Sequence, residues 1–271
     1  MGEVLRAGRE RGSEGGGRRE PRLVLRRPGR AGTGLFEGGT VEPSRRSAPP
    51  REAPGRPTGG TPFDLVCAVE LGGAPGPVEA RLGWARELLQ AVSGGAGDTG
   101  HARVAVLGYA DHPVERGAEN RGVIQGDWLQ ATEGALTTLS RFEPSPARVS
   151  GVAPVEDMLY ELVRRLPGRD PARRLILVTV GERRPHTGVR RGSMIADALS
   201  CPLLRDWRRL LGRFRREPGA AGVAVVGGSP RIEEPWRRLG FTRLSRLVET
   251  DARALAGDLG MFAPPVVPGA G

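Results

Sequence analysis

The 271-residue sequence contains no lysine: all 41 basic residues are arginine, set against 31 acidic residues for a formal net charge of +10. Without an ammonium side chain there is no G-x-x-x-x-G-K phosphate loop, because its lysine must reach the terminal phosphates. The absence also changes what the positive charge means. Arginine neutralises phosphates and releases counterions, but a uniform arginine preference fits the codon bias of a GC-rich genome better than selection for phosphate contacts. Residues 1–62 hold 13 Arg against 7 acids, and the remainder 28 against 24, so the longer part of the chain is only mildly basic. A nucleic-acid partner stays open and is not favoured.

Cysteine is scarce too. Cys67 and Cys201 are the only two; one pair makes no disulfide framework, and neither stands at metal-ligand spacing from His101, His112 or His186. The expectation is a reduced, cytoplasmic setting with no cofactor. No run reaches the ~18 consecutive apolar residues of a membrane span, and the N-terminal arginines among glycines lack the apolar core of a signal peptide. A membrane partner is therefore not expected.

Two regions differ in what they can bury. Residues 1–62 are rich in Gly, Pro, Arg and Ser, as in "GSEGGGRREP" and "SRRSAPPREAPGRPTGG". Such a segment cannot bury enough apolar surface to offset the entropy of ordering it, and it reads as a disordered tail. From residue 63 to 260 the patterns alternate. Phe63–Val69, Ala102–Tyr109, Arg174–Val180 and Ala221–Gly228 are apolar runs of strand length, with an edge strand expected near Val123. Between them, apolar residues recur at helical spacing from Val78 to Val92, more weakly from Trp128 to Leu139, and clearly from Val155 to Leu166. Glu156 and Asp157 fall in the first turn of that last helix, where the helix dipole favours acids. Another helix is expected from Leu203 to Phe214, with a solvated face of Arg205, Arg208, Arg209, Arg213, Arg215 and Arg216. Weaker helices follow around Trp236 and from Asp251 to Leu259, and residues 261–271 read as coil. This alternation predicts one doubly wound α/β domain, a mostly parallel central sheet with helices on both faces and ligands at the carboxyl ends of the strands.

The stretch "VCAVELGGAPG", Val66 to Gly76, runs from a strand through an acid into a glycine turn. Gly72, Gly73 and Gly76 lack the spacing of the G-x-G-x-x-G dinucleotide fingerprint. "ELGGAPG" looks more like the loop of adenosylmethionine-dependent methyltransferases, with Glu70, Gly72 and Gly76 in register and Ala74 replacing the middle glycine. Such folds place a second acid at the end of the next strand to hold the ribose, about 20 residues on in dinucleotide sites. Here the nearest acid, Asp111, stands 35 residues past Gly76. "VVGGSP" lacks the last glycine of a nucleophile elbow, and Pro230 follows Ser229 where a helix would have to start. Cys67 sits inside an apolar strand and reads as a packing residue. No set of acid, base and nucleophile emerges.

Three further segments carry a resemblance. "ARVAVLGYADHP" resembles the second-strand signature of von Willebrand factor type A domains, in particular intracellular forms reading "YRDHP", with Tyr109, Asp111, His112 and Pro113 matching. "LILVTVGERRPHTG" resembles the fourth core strand and following loop of that family, with Pro185, His186 and Gly188 in agreement. "SGVAPVEDMLYELVRRL" is similar to its glycine-rich loop and the helix behind it. The resemblance implies a divalent-cation site held by D-x-S-x-S after the first strand, a Thr or Asp of the glycine-rich loop, and an Asp after the fourth strand. Carried onto this chain, Glu70 takes the aspartate position, Gly72 and Ala74 those of the serines, Ala153 that of the threonine and Val180 that of the last aspartate. A lone carboxylate cannot hold a hard cation that dehydrates reluctantly, so no metal is expected there. The expectation is a protein-binding adaptor or regulatory domain, not an enzyme, of the kind found in bacterial multi-protein systems. Its carboxyl-end rim would be formed by Glu70, Gly72, Gly73, Asp111, His112, Glu182 and His186. A divergent methyltransferase using Glu70–Gly76 and an arginine-rich nucleic-acid-associated protein are the alternatives.

Overall fold

A computed structural model of the chain describes residues 61–96, 101–112, 123–147, 151–186, 201–228 and 234–262. The expected N-terminal tail lies outside the described residues up to position 60, as do Ser229, Pro230 and the last residues of the C-terminal coil.

The sheet grows from its apolar runs. β1 (Phe63–Glu70), β2 (Ala102–Tyr109), β5 (Arg174–Gly181), β7 (Ala220–Val226) and β8 (Arg243–Arg246) are parallel, and β3 (Val123–Gln125) runs antiparallel beside β2. The order across the sheet is β3-β2-β1-β5-β7-β8. A second, two-stranded pairing joins β4 (Val152–Ala153) to β6 (Arg184–Pro185). Every residue of β1 is buried. A central strand covered on both faces has no need of polar alternation, which is why the four central runs read as continuously apolar.

Alternate side chains of β1 enter opposite layers. Phe63, Leu65, Cys67 and Val69 join one core with α1 (Pro75–Ala96), α2 (Thr132–Leu139) and α6 (Ala252–Asp258). Val66 and Ala68 join the other with α3 (Val155–Arg164), α4 (Trp207–Phe214) and α5 (Glu234–Leu239). The doubly wound architecture is thus as expected. No helix among the described residues is long and apolar enough to cross a membrane.

Three boundaries differ from the sequence pattern. α2 begins at Thr132, not Trp128: Leu129 has a positive φ of 51° and Gln130 forms an isolated bridge to Val104, so the backbone is committed elsewhere before the helix starts. α4 begins at Trp207, not Leu203, because the Asp206 carboxylate caps it by accepting from the Arg208 and Arg209 backbone N–H groups. Leu203 and Leu204 stay exposed. The glycine turn is shorter than its sequence suggests, since α1 starts at Pro75 and takes Gly76 into its first turn. β8, with only half-buried residues, carries no apolar signal and was not expected.

Candidate functional site

At the carboxyl end of β1 the chain leaves the sheet through Leu71, Gly72 and Gly73. The turn is pinned to a distant segment: Ser145 N–H donates to Leu71 O at 2.8 Å, and Gly73 N–H donates to Ser145 O at 3.0 Å. Gly73 has φ +135°, a conformation that favours glycine. Arg81, one helical turn into α1 and almost fully buried, closes the turn from below. Its guanidinium donates to the carbonyls of Glu70 and Gly72, both at 3.0 Å, and lies 3.5 Å from Glu182 Oε2. These carbonyls would otherwise end the strand without partners.

Glu70 is fully buried. Its Oε2 accepts the backbone N–H of Glu182 at 2.6 Å and of Arg183 at 3.1 Å, and its Oε1 pairs with Arg183 Nε. The same guanidinium reaches Asp111 Oδ1 at 2.6 Å. Burial works against the charge of Arg183, but the carboxylates of Glu70 and Asp111 hold its pKa above the usual guanidinium value. The guanidinium also lies directly over Gly72, where a Cβ would fall 1.9 Å from its Nη2. Behind Glu70, Gly181 lets the Tyr109 hydroxyl, the Trp236 ring and Glu70 Oε2 converge, each within 3 Å of where its Cβ would stand. Burial, and then the Glu70 charge, push the Tyr109 phenol well above its usual pKa.

Of the expected rim residues, Glu70, Gly72, Gly73, Asp111 and Glu182 therefore come together. His112 and His186 do not join them. They belong to a second cluster, built on the first turn of α3, where Glu156 and Asp157 are buried rather than solvated. His186 Nδ1 lies 2.7 Å and His112 Nε2 3.6 Å from Glu156 Oε1, while His112 Nδ1 is 3.3 Å from Asp157 Oδ2. The two imidazoles stand 5.1 Å apart between centroids. Cys201 Sγ approaches His112 Nε2 and Asp157 Oδ1, both at 3.9 Å. Arg205, expected on a solvated face, pairs with Asp157 Oδ1 at 2.9 Å and stacks over Tyr160.

Burial works against the charge on Glu156, yet the two imidazoles hold its carboxyl down to about 2. Burial raises Asp157, with neighbouring Glu156 adding to the shift. Burial and then Glu156 push the Cys201 thiol up to about 12, and burial alone does the same to Cys67 in β1. Linear spacing separates the histidines from Cys201; the fold corrects that reading by bringing them together. Sequence reasoning also missed Arg81 and Arg183. Arg81 falls three residues after Val78 on the buried stripe of α1, and that placement was the available signal.

No family model and no curated protein matches the sequence. Solved structures do. Proximal thread matrix protein 1 from the mussel byssus, described with a zinc-occupied MIDAS motif, is 12% identical with a TM-score of 0.50 over 75% of this chain and 46% of that one. A von Willebrand factor type A protein from Catenulispora acidiphila is 13% identical, with a TM-score of 0.48 over 73% and 43%. The pilus adhesin SpaC from Lactobacillus rhamnosus GG, in its open conformation, is 14% identical, with a TM-score of 0.47 over 74% and 30%. This chain spans less than half the length of each. The parallel strand order and the likeness to the mussel protein give the chain a von Willebrand factor type A-like fold.

Proposed function

We propose that this chain is a non-catalytic protein-interaction module, an adaptor or regulator, that works at the carboxyl-end rim without a divalent cation at the end of β1. The observation that supports this reading is Arg183, whose guanidinium occupies the space over Gly72 between Glu70 and Asp111. In this fold family that space belongs to a hard cation held by hydroxyl and carboxylate oxygens. Gly72, Ala74, Ala153 and Val180 carry no side-chain oxygen, and the Glu70 carboxylate is already used by two backbone N–H groups and Arg183. The residues present do not fit a magnesium ion. The guanidiniums of Arg183 and Arg81 are offset within the rim by Glu70, Asp111 and Glu182, so a partner would be met by shape, by the partly exposed Glu182 and by the backbone of the Gly72–Gly73 turn and not by a free positive charge. The likeness to a pilus adhesin and a byssal matrix protein agrees with an interaction role, by fold-level analogy only.

Calorimetric titration of the full chain with magnesium tests the cation-free reading. The expected trace is the same for the native chain and for Glu70→Gln, with no saturable heat lost on substitution. A magnesium site that disappears in Glu70→Ala overturns it. Saturable adenosylmethionine binding abolished by Gly72→Trp would replace the adaptor reading with the methyltransferase one.

A further inference from the structure

The cluster on α3 holds a different set of donors from the β1 rim, and it is assembled from three separate segments. His112 follows β2, Glu156 and Asp157 open α3, and Cys201 precedes α4. One ligand atom from each of these four residues lies within 4.8 Å of all the others. An ideal tetrahedron with bonds of about 2.0 Å to nitrogen or oxygen and about 2.3 Å to a single sulfur has edges of roughly 3.3–3.5 Å. Around His112 Nε2, Glu156 Oε1 lies at 3.6 Å and Cys201 Sγ at 3.9 Å, somewhat longer than those edges, so closing the set on one nitrogen draws the side chains together by a few tenths of an ångström.

The second observation is that the polar atoms turned into this cluster face one another as close acid–imidazole pairs, at 2.7 Å for His186 Nδ1 and Glu156 Oε1 and 3.3 Å for His112 Nδ1 and Asp157 Oδ2, without well-aligned hydrogen bonds. Among the described residues, His112 Nδ1, Glu156 Oε1, Asp157 Oδ2 and His186 Nδ1 are buried and have no aligned hydrogen-bond partner, although charged or polar groups surround them. The side chains that bear them are 8%, 0%, 1% and 6% exposed. Buried acids and imidazoles that meet without well-aligned hydrogen bonds are costly unless something holds them together. At the β1 end Arg183 does this for Glu70 and Asp111. Here Arg205 pairs with Asp157 Oδ1, and Glu156 faces the two imidazoles.

We infer that His112, Glu156, Asp157 and Cys201 form a closed, four-coordinate site for a borderline-soft divalent metal of the zinc class. One imidazole, one thiolate and two carboxylates suit zinc rather than magnesium or calcium, which take oxygen ligands alone. Four protein ligands leave no open position, so the site is structural: it fastens the segments after β2 and before α4 to the start of α3. His186 stands outside it as a positioning residue. Its backbone N–H donates to Glu156 Oε2 at 3.3 Å while its ring faces Oε1, fixing the carboxylate that meets the metal.

The experiment is titration of the metal-stripped full chain with cobalt(II) alone, followed by competition with zinc, read by absorption. One equivalent should give the intense visible bands of a tetrahedral centre and a thiolate-to-cobalt charge-transfer band, both erased by zinc. Cys201→Ser should remove the charge-transfer band, and His186→Gln should weaken zinc by about 10–100-fold while keeping it. Glu70→Gln should change neither band. A native chain that binds no cobalt, or binds it with an octahedral spectrum, overturns the site by itself, before any variant is made. Binding lost in Glu70→Gln and kept in Cys201→Ser places the metal at β1, overturning both this site and the cation-free rim. Absence of all binding overturns the site alone.

Discussion

Two groups of buried acids stand near the carboxyl edge of one sheet, and they are met by opposite means. Glu70 and Asp111 share a guanidinium supplied by the chain itself, and two backbone N–H groups complete the coordination of Glu70. Glu156 and Asp157 face imidazoles and a thiol, groups whose protonation is adjustable and whose lone pairs can be given to a metal. The first arrangement is complete as it stands. The second has the components of a site but lacks the alignment of a hydrogen-bonded network. An acid at the mouth of such a sheet therefore says little by its position; in the first cluster one guanidinium serves both acids, whereas in the second Arg205 meets Asp157 and Glu156 is left to the imidazoles.

The largest expected effect lies at the first cluster. Glu70→Ala leaves Arg183 with Asp111 as its carboxylate partner and strands two buried backbone N–H groups, and should cost about 3–5 kcal/mol in urea unfolding. A cost below ~1 kcal/mol would mean that the Glu70–Arg183 pair is not what completes the rim. At the second cluster, zinc in excess should raise native stability by about 2.7 kcal/mol when its free concentration is a hundred times Kd. Magnesium under the same conditions should leave the melting temperature unchanged.

A further buried acid sharpens the contrast through pH. Asp64, at the amino end of β1 and on the same strand face as Glu70, is fully buried and meets Arg103 at 2.8 and 2.9 Å and Arg173 at 2.8 Å. Burial alone would raise its pKa, but these guanidiniums hold it below the ordinary 3.8. A carboxyl lowered on folding contributes stability that is fully present above 3.8 and is lost as pH falls through the lower folded value. Acid titration of unfolding should therefore be steeper below pH 3.8 in the native chain than in Asp64→Asn. Equal slopes would show that Asp64 titrates alike in both states. The smallest effect belongs to the surface. Arg208 and Glu234, 3.7 Å apart and both at least half exposed, should contribute less than about 0.5 kcal/mol in a double-mutant cycle.

How much of this was legible in the sequence follows from what each element is made of. β1, β2, β5 and β7 are apolar runs enclosed on both faces, and α3 carries a one-sided stripe, so pattern alone placed them. β8 is half-buried on every residue, and its pattern is silent. Glu70, Asp111 and Glu182 were legible as one rim because they follow strand ends. Arg183 was not, since an arginine doublet after a strand reads as solvated charge until a neighbouring glycine makes room for it. The α3 cluster was illegible for another reason. Its residues stand at positions 112, 156, 157, 186 and 201, and only the crossing of separate segments brings them within bonding range. Glu156 and Asp157 fitted a helix-dipole explanation well enough to hide their other partners.

The Gly72–Arg183 contact sets the order in which this rim can change. A hydroxyl at position 72 would require Gly72→Ser, yet the new Cβ would stand 1.9 Å from Arg183 Nη2, and that guanidinium is tethered on both sides by Glu70 and Asp111. Arg183 has to leave first, and its departure alone leaves two carboxylates facing each other without a counter-charge. Either change made alone disturbs the present arrangement, so positions 72 and 183 are coupled and a side chain at 72 requires a smaller one at 183.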